Sequence, residues 1–474
     1  MLFLDRDAEL RRLDQLADPS GEGGLAVVYG RRRIGKTRLL LEWTKRHRGV
    51  YCVADQSAPE IQRRYLAEAL AEALSGFADV AYPDWSALLA RVGRDAEAHG
   101  FRGPLVIDEL PYLVAASPEL PSILQRFVDR DASAARLVIA LAGSSQRMMQ
   151  GLVLDAGAPL YGRARVVLDL QPLELRFVEK ALQPSSATDL VRHYAAWGGV
   201  PRYLELAREA SGSVEERIDE LVLDPLGPLH REPDRLLLEE IPSALEVRPV
   251  LDAIGGGANR VSEIGGRLGR PATSMARPLE RLVGMGLVRR EVPFGSSEKG
   301  GRRSLYKIHD PHFRLWFRVV APHRGQLAAG TRAARLATLR RFWPSLVAEA
   351  WEDLCRAVLP RLDVPGLREV GPLGSAFRWW HGAAPEWDLV AASLDGRALV
   401  LGEIKWHDRP VTARDLRREA ARLRERPAPG LDANYLNRQQ VRVLFVPAVE
   451  GRLRRSIEGV LVVTARDLLR ARKS

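Results

Sequence analysis

Gly30, Gly35, Lys36 and Thr37 stand at the spacing G-x-x-x-x-G-K-T, spelled Gly30-Arg31-Arg32-Arg33-Ile34-Gly35-Lys36-Thr37. Before them runs Leu25-Ala26-Val27-Val28-Tyr29, apolar and β-branched, and after them Arg38-Leu39-Leu40-Leu41-Glu42-Trp43, of helical character. A glycine loop between a buried strand and a helix N-terminus turns backbone N–H groups toward an anion, and the helix dipole adds to the attraction. In such a loop Lys36 reaches β- and γ-phosphates and the Thr37 hydroxyl ligates Mg²⁺. The chemistry expected is binding of a nucleoside triphosphate.

A second apolar run, Pro104-Leu105-Val106-Ile107, ends in Asp108-Glu109. Behind a phosphate loop, the first carboxylate holds Mg²⁺ through water and the second orients and deprotonates the attacking water. Leu137 to Ala142 is a further strand ending at Gly143-Ser144-Ser145, where Ser144 and Ser145 would lie beside the γ-phosphate; a serine turn capping the next helix is the plainer use. In Pro159-Leu160-Tyr161-Gly162-Arg163, Arg163 has the charge to stabilise a phosphoryl transition state, in its own chain or on a neighbour's nucleotide in an oligomer. It is equally suited to a solvated loop.

Near the C-terminus two apolar runs, Glu386 to Ala392 and Ala398 to Trp406, flank Leu394-Asp395-Gly396-Arg397. Asp-Gly between apolar runs is a preferred two-residue hairpin turn. With Asp395 and Gly396 at its centre, Asp388 faces Glu403, and the period of two puts Lys405 on the face of Glu403. Two carboxylates about 5 Å apart repel unless a cation lies between them. Mg²⁺ or Mn²⁺ suits such oxygen ligands, with Lys405 to position water or stabilise an attacked phosphate and Glu352 as an additional acid. The same charges also make an inert salt-bridged sheet face.

Between these regions, residues 243–318 have the pattern of a winged helix-turn-helix. Helices are expected over 243–254 and 261–268, and a third over 273–283 with Met275, Leu279 and Leu282 inward and Arg277 and Arg281 outward. Pro278 should kink the third helix. A hairpin of 287–292 and 304–308 would carry a wing containing Arg302 and Arg303. DNA-backbone contact by Arg277, Arg281, Arg302 and Arg303 is one use of this module; a structural or autoinhibitory lid is the other.

The order of motifs resembles the archaeal-type ATPase family, AAA+/STAND-like P-loop proteins. The resemblance rests on Phe3 to Leu10, Tyr29 to Thr37, Ile107 to Leu113, Ala142 to Ser145, Pro159 to Arg163 and Gly198-Gly199-Val200-Pro201-Arg202-Tyr203-Leu204. It implies ATP binding and hydrolysis, with the N-terminal box, including Arg6, near the adenine. The C-terminal segment is similar to the PD-(D/E)XK nuclease-like domain attached to such ATPases, through Phe377-Arg378-Trp379-Trp380, Glu386-Trp387-Asp388 and Gly402-Glu403-Ile404-Lys405-Trp406. Phe377, Trp387 and Ile404 depart from the commoner residues there without removing a catalytic group.

The implied architecture is α/β. A P-loop parallel sheet (residues 1–170) carries a helical lid (171–240), followed by a winged helix-turn-helix (241–320) and a PD-(D/E)XK-like α/β domain (335–474). The 474 residues carry a net charge of +11, divided into 31 basic and 38 acidic side chains over 1–258 and 40 and 22 over 259–474. The basic excess therefore coincides with the two modules whose expected partner is DNA. Only seven basic residues are lysine, so arginine alone is weak evidence, whereas Lys36 and Lys405 fall where an ammonium has chemistry to do. No apolar run is long enough for a membrane span, the N-terminus is charged too early for a secretory signal, and two cysteines make no disulfide framework. A cytoplasmic protein is expected, with an oligomer possible in principle through Arg163.

Overall fold

The computed structural model describes residues 6–153, 155–240, 244–297, 303–452 and 454–471. The chain forms two compact units: residues 1–173 with 200–202, and residues 174–199 with 203–474.

The first unit is a five-stranded parallel sheet of β1 (Gly24–Tyr29), β2 (Val50–Val53), β3 (Leu105–Asp108), β4 (Val138–Gly143) and β5 (Ala164–Asp169), in the order β2-β3-β4-β1-β5. The central strands β1 and β4 read as unbroken apolar runs because both faces are covered. Leu25 and Val27 enter one core with Leu66, Leu88 and Phe127, while Ala26 and Val28 enter the other with Leu13, Leu40 and Trp43. Each parallel strand delivers its C-terminus to one edge, which brings together the loops after β1, β3 and β4.

The second unit begins with helices, among them Leu175–Leu182, Ala187–Trp197 and Glu232–Glu240. Helices Ala244–Gly255 and Val261–Arg267 follow, then a 3₁₀ turn Ala272–Met275 leading into helix Ala276–Gly284 and the hairpin of β6 (Val288–Glu291) and β7 (Leu305–Ile308). Met275, Leu279 and Leu282 are buried as their spacing requires. Pro278 produces no mid-helix kink. It lies in the first turn of helix Ala276–Gly284, and the break falls before it, where 3₁₀ gives way to α-helix. A proline in a first turn removes an N–H that has no intrahelical partner there.

The long helix Arg332–Val358 leads to a mixed sheet of β8 (Phe377–Trp379), β9 (Trp387–Ala392), β10 (Ala398–Ile404), β11 (Gln439–Val446), β12 (Ser456–Ile457) and β13 (Val460–Thr464), ordered β12-β13-β11-β10-β9-β8. Helix Ala413–Glu425 covers one face through Leu416, Ala420 and Leu423. Both cysteines are buried, Cys52 on β2 and Cys355 in the long helix. Among the described residues, no helix is long and apolar enough to cross a membrane.

Candidate functional site

At the C-terminal edge of the parallel sheet, Gly30 and Gly35 occupy conformations a side chain resists. A Cβ on Gly30 would sit 2.8 Å from the Leu170 carbonyl oxygen at φ +150°, and Gly35 has φ +95°. Helix Lys36–His47 begins immediately after. Lys36 is buried and donates to the Gly30 and Arg31 carbonyls at 2.7 and 3.2 Å, folding over the loop that it would leave for phosphate oxygens. The loop's shape is braced by Arg6, which donates to the Ile34 carbonyl at 3.0 Å and to the Gln171 carbonyl at 2.7 Å. Arg6 is thus committed to backbone carbonyls and to Glu9.

Asp108 is fully buried at the end of β3, and its partners account for that. Thr37 Oγ1 donates to Asp108 Oδ2 at 2.8 Å, and the Glu109 N–H donates to Oδ1 at 2.9 Å. The structure therefore joins the expected Mg²⁺ hydroxyl to the expected Mg²⁺ carboxylate. A third donor was not anticipated: Tyr51, on the neighbouring β2, donates its hydroxyl to the same Oδ2 at 2.7 Å. Burial, then the Asp108 charge, pushes the Tyr51 phenol upward, so it remains a donor. The parallel register, which sets Val53 beside Asp108, brings Tyr51 there; a lone tyrosine in a short strand carries no sequence signal for it.

Glu109 has a left-handed backbone, φ 56°, unusual for a residue with a side chain. Its carboxylate accepts the Ser144 N–H at 3.2 Å and the Ser144 hydroxyl, so the residue expected to activate water is tethered to the one expected beside the γ-phosphate. Ser145 is half-buried, and its carbonyl accepts the Met149 N–H as the next helix begins. Arg163 instead binds Asp129 through Nε and Nη2 at 2.8 and 2.9 Å and donates to the Pro159 and Tyr161 carbonyls; none of these partners belongs to the phosphate loop or to Asp108-Glu109.

In the second unit, β9 and β10 pair with Leu399 opposite Ala392 and Gly402 opposite Leu389, the register that sets Asp388 against Glu403. The turn differs from the two-residue form. Ser393 and Ala398 close a four-residue loop, with Gly396 N–H donating to the Ser393 carbonyl at 3.1 Å. Asp388 Oδ2 accepts the Ile404 N–H at 3.0 Å. Burial, followed by the Glu403 and Glu352 charges, pushes the Asp388 carboxyl up to about 6. Glu403 is held low despite burial by Arg426 and Lys405, which contact it at 3.0 and 2.6 Å.

Glu352 does not join a three-acid metal group. Its carboxylate is drawn to Arg356 one turn along the helix, at 3.2 Å, and among the described residues no three His, Cys, Asp or Glu side chains are arranged to hold a metal ion. Arg426 and Arg356 are the site residues that sequence reasoning missed. Arg356 also donates to the Asp388 carbonyl at 3.0 Å, and in a chain this rich in arginine neither stands out.

On the winged helix, Arg277 and Arg303 are exposed and Arg281 is half-buried; Arg302 lies outside the described residues. Thr273 and Ser274, at the start of the third helix, are exposed beside them in sequence. The base of the wing is engaged: Phe294 donates its N–H to the Arg378 carbonyl, and its ring meets Tyr435 and Phe377.

Residues 3–207 match the model of an ATPase domain predominantly from Archaea. They form an archaeal-type ATPase domain. Residues 316–421 match a second model, of archaeal and bacterial proteins of unknown function. An uncharacterized protein of Methanocaldococcus jannaschii is 26% identical over 416 residues, covering 86% of this chain and 88% of its own. Among solved structures, a Walker-type ATPase of Pyrococcus abyssi superposes with a TM-score of 0.52 at 20% identity, covering 67% of this chain and 96% of that one. This likeness is one of fold. In the ATPase domain, the phosphate loop, Asp108 and Glu109 occupy one sheet edge, as a P-loop nucleotide site requires.

Proposed function

We propose that this protein hydrolyses ATP at the Lys36–Thr37–Asp108–Glu109 site, binds DNA through its winged helix, and cleaves DNA at Asp388, Glu403 and Lys405. The observation that carries the cleavage reading is the pairing of Asp388 with Glu403 on adjacent antiparallel strands, one carboxyl pushed up to about 6 and the other held low. Two carboxylates set opposite each other on paired strands are oxygen ligands of the kind a divalent cation bridges, so the residues fit Mg²⁺ or Mn²⁺ held by Asp388 and Glu403. Such an ion would supply Lewis acidity and an activated water. The chain's own part is then to hold both carboxylates in register and to place the Lys405 ammonium beside them. Burial works against the charge on Lys405, but Glu403 and Asp388 keep it protonated, as stabilisation of a phosphate requires.

In the ATPase domain, Mg²⁺ would be held by Thr37 and, through water, Asp108, with the phosphates taken by the loop and Lys36. Glu109 would act on water once Ser144 turns from its carboxylate to the γ-phosphate. Exposed Arg277 and Arg303 and half-buried Arg281 supply DNA-backbone contacts. A second reading, a nucleotide-controlled switch whose C-terminal domain does not cut, is favoured by one observation: Glu403 already has two cationic partners.

The test is plasmid nicking with Mg²⁺ or Mn²⁺ beside ATP hydrolysis. Lys36→Ala should abolish hydrolysis, and Asp388→Ala and Lys405→Ala should each abolish nicking while hydrolysis persists. Nicking that survives both C-terminal substitutions assigns it elsewhere, and no nicking by the unaltered protein supports the switch.

A further inference from the structure

Strand β6, the long helix Arg332–Val358 and residues 375–378 enclose a cleft of about 510 Å³. Four arginines, Arg289, Arg290, Arg356 and Arg378, line it against two acids, Glu291 and Asp353. One acid is more than matched. Asp353, its side chain 15% exposed, contacts Arg289, Arg314 and Arg356 at 2.5–2.8 Å, which together hold its carboxyl well below the usual range against the effect of desolvation. Glu291 has Arg289 at 2.8 Å, with Arg378 and Lys307 at 3.6 and 4.0 Å; its Oε2 accepts no hydrogen bond.

Arg378 is the cation with capacity to spare. Its Nε–H is buried without a hydrogen-bond partner, and its ion pairs are a long one with Glu291 at 3.6 Å and one with Glu386, which is 58% exposed. An ion pair open to water is weak, and a phosphate competes with it. Phe377 stands at the same lining with 40% of its surface exposed, beside apolar groups of Val292, Ala357 and Pro360. Arg356 belongs both to this cleft and to the paired carboxylates, through its bonds to Glu352 and the Asp388 carbonyl.

We propose that the cleft binds one nucleoside phosphate, its phosphate on Arg378 and Arg290 and its base against Phe377. The volume lies within the range of small-molecule sites, and the lining combines what such a ligand presents: a doubly acceptor-rich anion and a flat apolar ring. The shared wall with Asp388 makes an unpaired nucleotide of a DNA strand the source favoured over a free nucleotide. In that respect the proposal rests on the DNA-cleaving reading above; the cleft itself does not.

The experiment uses the full chain with saturating Mg·ADP, so that the phosphate loop is filled. Binding of a fluorescein-labelled dT12 is followed by anisotropy, and binding of dTMP and inorganic phosphate by calorimetry. Arg378→Gln and Phe377→Ala are compared with the unaltered protein, with ATP hydrolysis and melting temperature as folding controls. Each substitution should weaken dT12 binding at least about fivefold, the lower end for loss of one stacked base or one charged contact. An unaltered protein that binds dTMP but not dT12, with dTMP binding lost in both variants, supports the cleft and assigns it to a free nucleotide, while removing the DNA reading. Equal dT12 affinity in all three proteins overturns the cleft and leaves the DNA reading standing. Phosphate binding as tight as dTMP, insensitive to Phe377→Ala, also overturns it, since no base is then recognised.

Discussion

Replacing Asp353 by asparagine removes one negative charge from the centre of three guanidiniums and leaves the shape nearly unchanged. Arg289 meets this carboxylate through two bonds, 2.7 and 2.5 Å, and Arg314 and Arg356 meet it at 2.7 and 2.8 Å. At an effective dielectric near 20, one charge pair about 4 Å apart is worth roughly 4 kcal/mol, partly cancelled by desolvation. With side chains only 5–21% exposed, removing one partner from this ionic cluster costs about 3–5 kcal/mol, because the remaining charges are left uncompensated. The loss falls on the second unit, which holds eight of the ten tryptophans, so tryptophan fluorescence follows it. For close to 300 residues each kcal/mol shifts the melting temperature by about 1.6 °C, giving an expected fall of roughly 5–8 °C. Glu352→Gln, one residue earlier, loses an i,i+4 pair whose carboxylate is 27% exposed and leaves Arg356 its bond to Asp353, so stability should change by less than about 1 kcal/mol. A melting temperature for Asp353→Asn within 1–2 °C of the unaltered protein (about 1 kcal/mol) would refute the argument that the carboxylate neutralises this cluster.

Tyr51→Phe removes one of the two hydroxyls on Asp108 Oδ2 and should raise the Mg²⁺ concentration needed for half-maximal hydrolysis about threefold or more, with binding of Mg²⁺-free nucleotide unchanged; an equal loss in both would make Tyr51 a packing residue only. His193 is buried, and burial depresses its imidazole to about 4, so the native state binds fewer protons than the unfolded one between that value and the ordinary 6.5. Stability should accordingly fall as pH drops through this window. His193→Leu should flatten the fall between pH 6.5 and 5 by on the order of 2 kcal/mol, measured by urea unfolding at both values.

The phosphate loop, the strand ending in Asp108-Glu109 and the register of β9 with β10 were legible because each is a local pattern: fixed spacing in the first two, a turn signal between apolar runs in the third. What stayed hidden is tertiary. Tyr51 reaches Asp108 across 57 residues and Arg426 reaches Glu403 across 23, and neither spacing belongs to a helix or a hairpin. The bonds of Arg6 to the Ile34 and Gln171 carbonyls are likewise fixed by chain path and carry no local signal. Glu352 was expected on a metal, but an arginine one helical turn away is a nearer partner than a carboxylate on another element. Pro278 was misplaced by three residues of helix start, enough to turn an expected kink into an ordinary first-turn proline.

The two cysteines divide between the units, Cys52 in the first and Cys355 in the second, and both are shut away from water. Burial pushes the Cys52 thiol up to about 11 and the Cys355 thiol well above its ordinary value, so neither reacts appreciably while its surroundings stay closed. Each unit thus carries a single built-in clock. The rate at which a thiol reagent captures Cys52 times the opening of β2, beside Tyr51, and capture of Cys355 times the opening of the long helix, beside Arg356. With one cysteine replaced at a time, ATP can be asked whether it slows one clock, the other, or both.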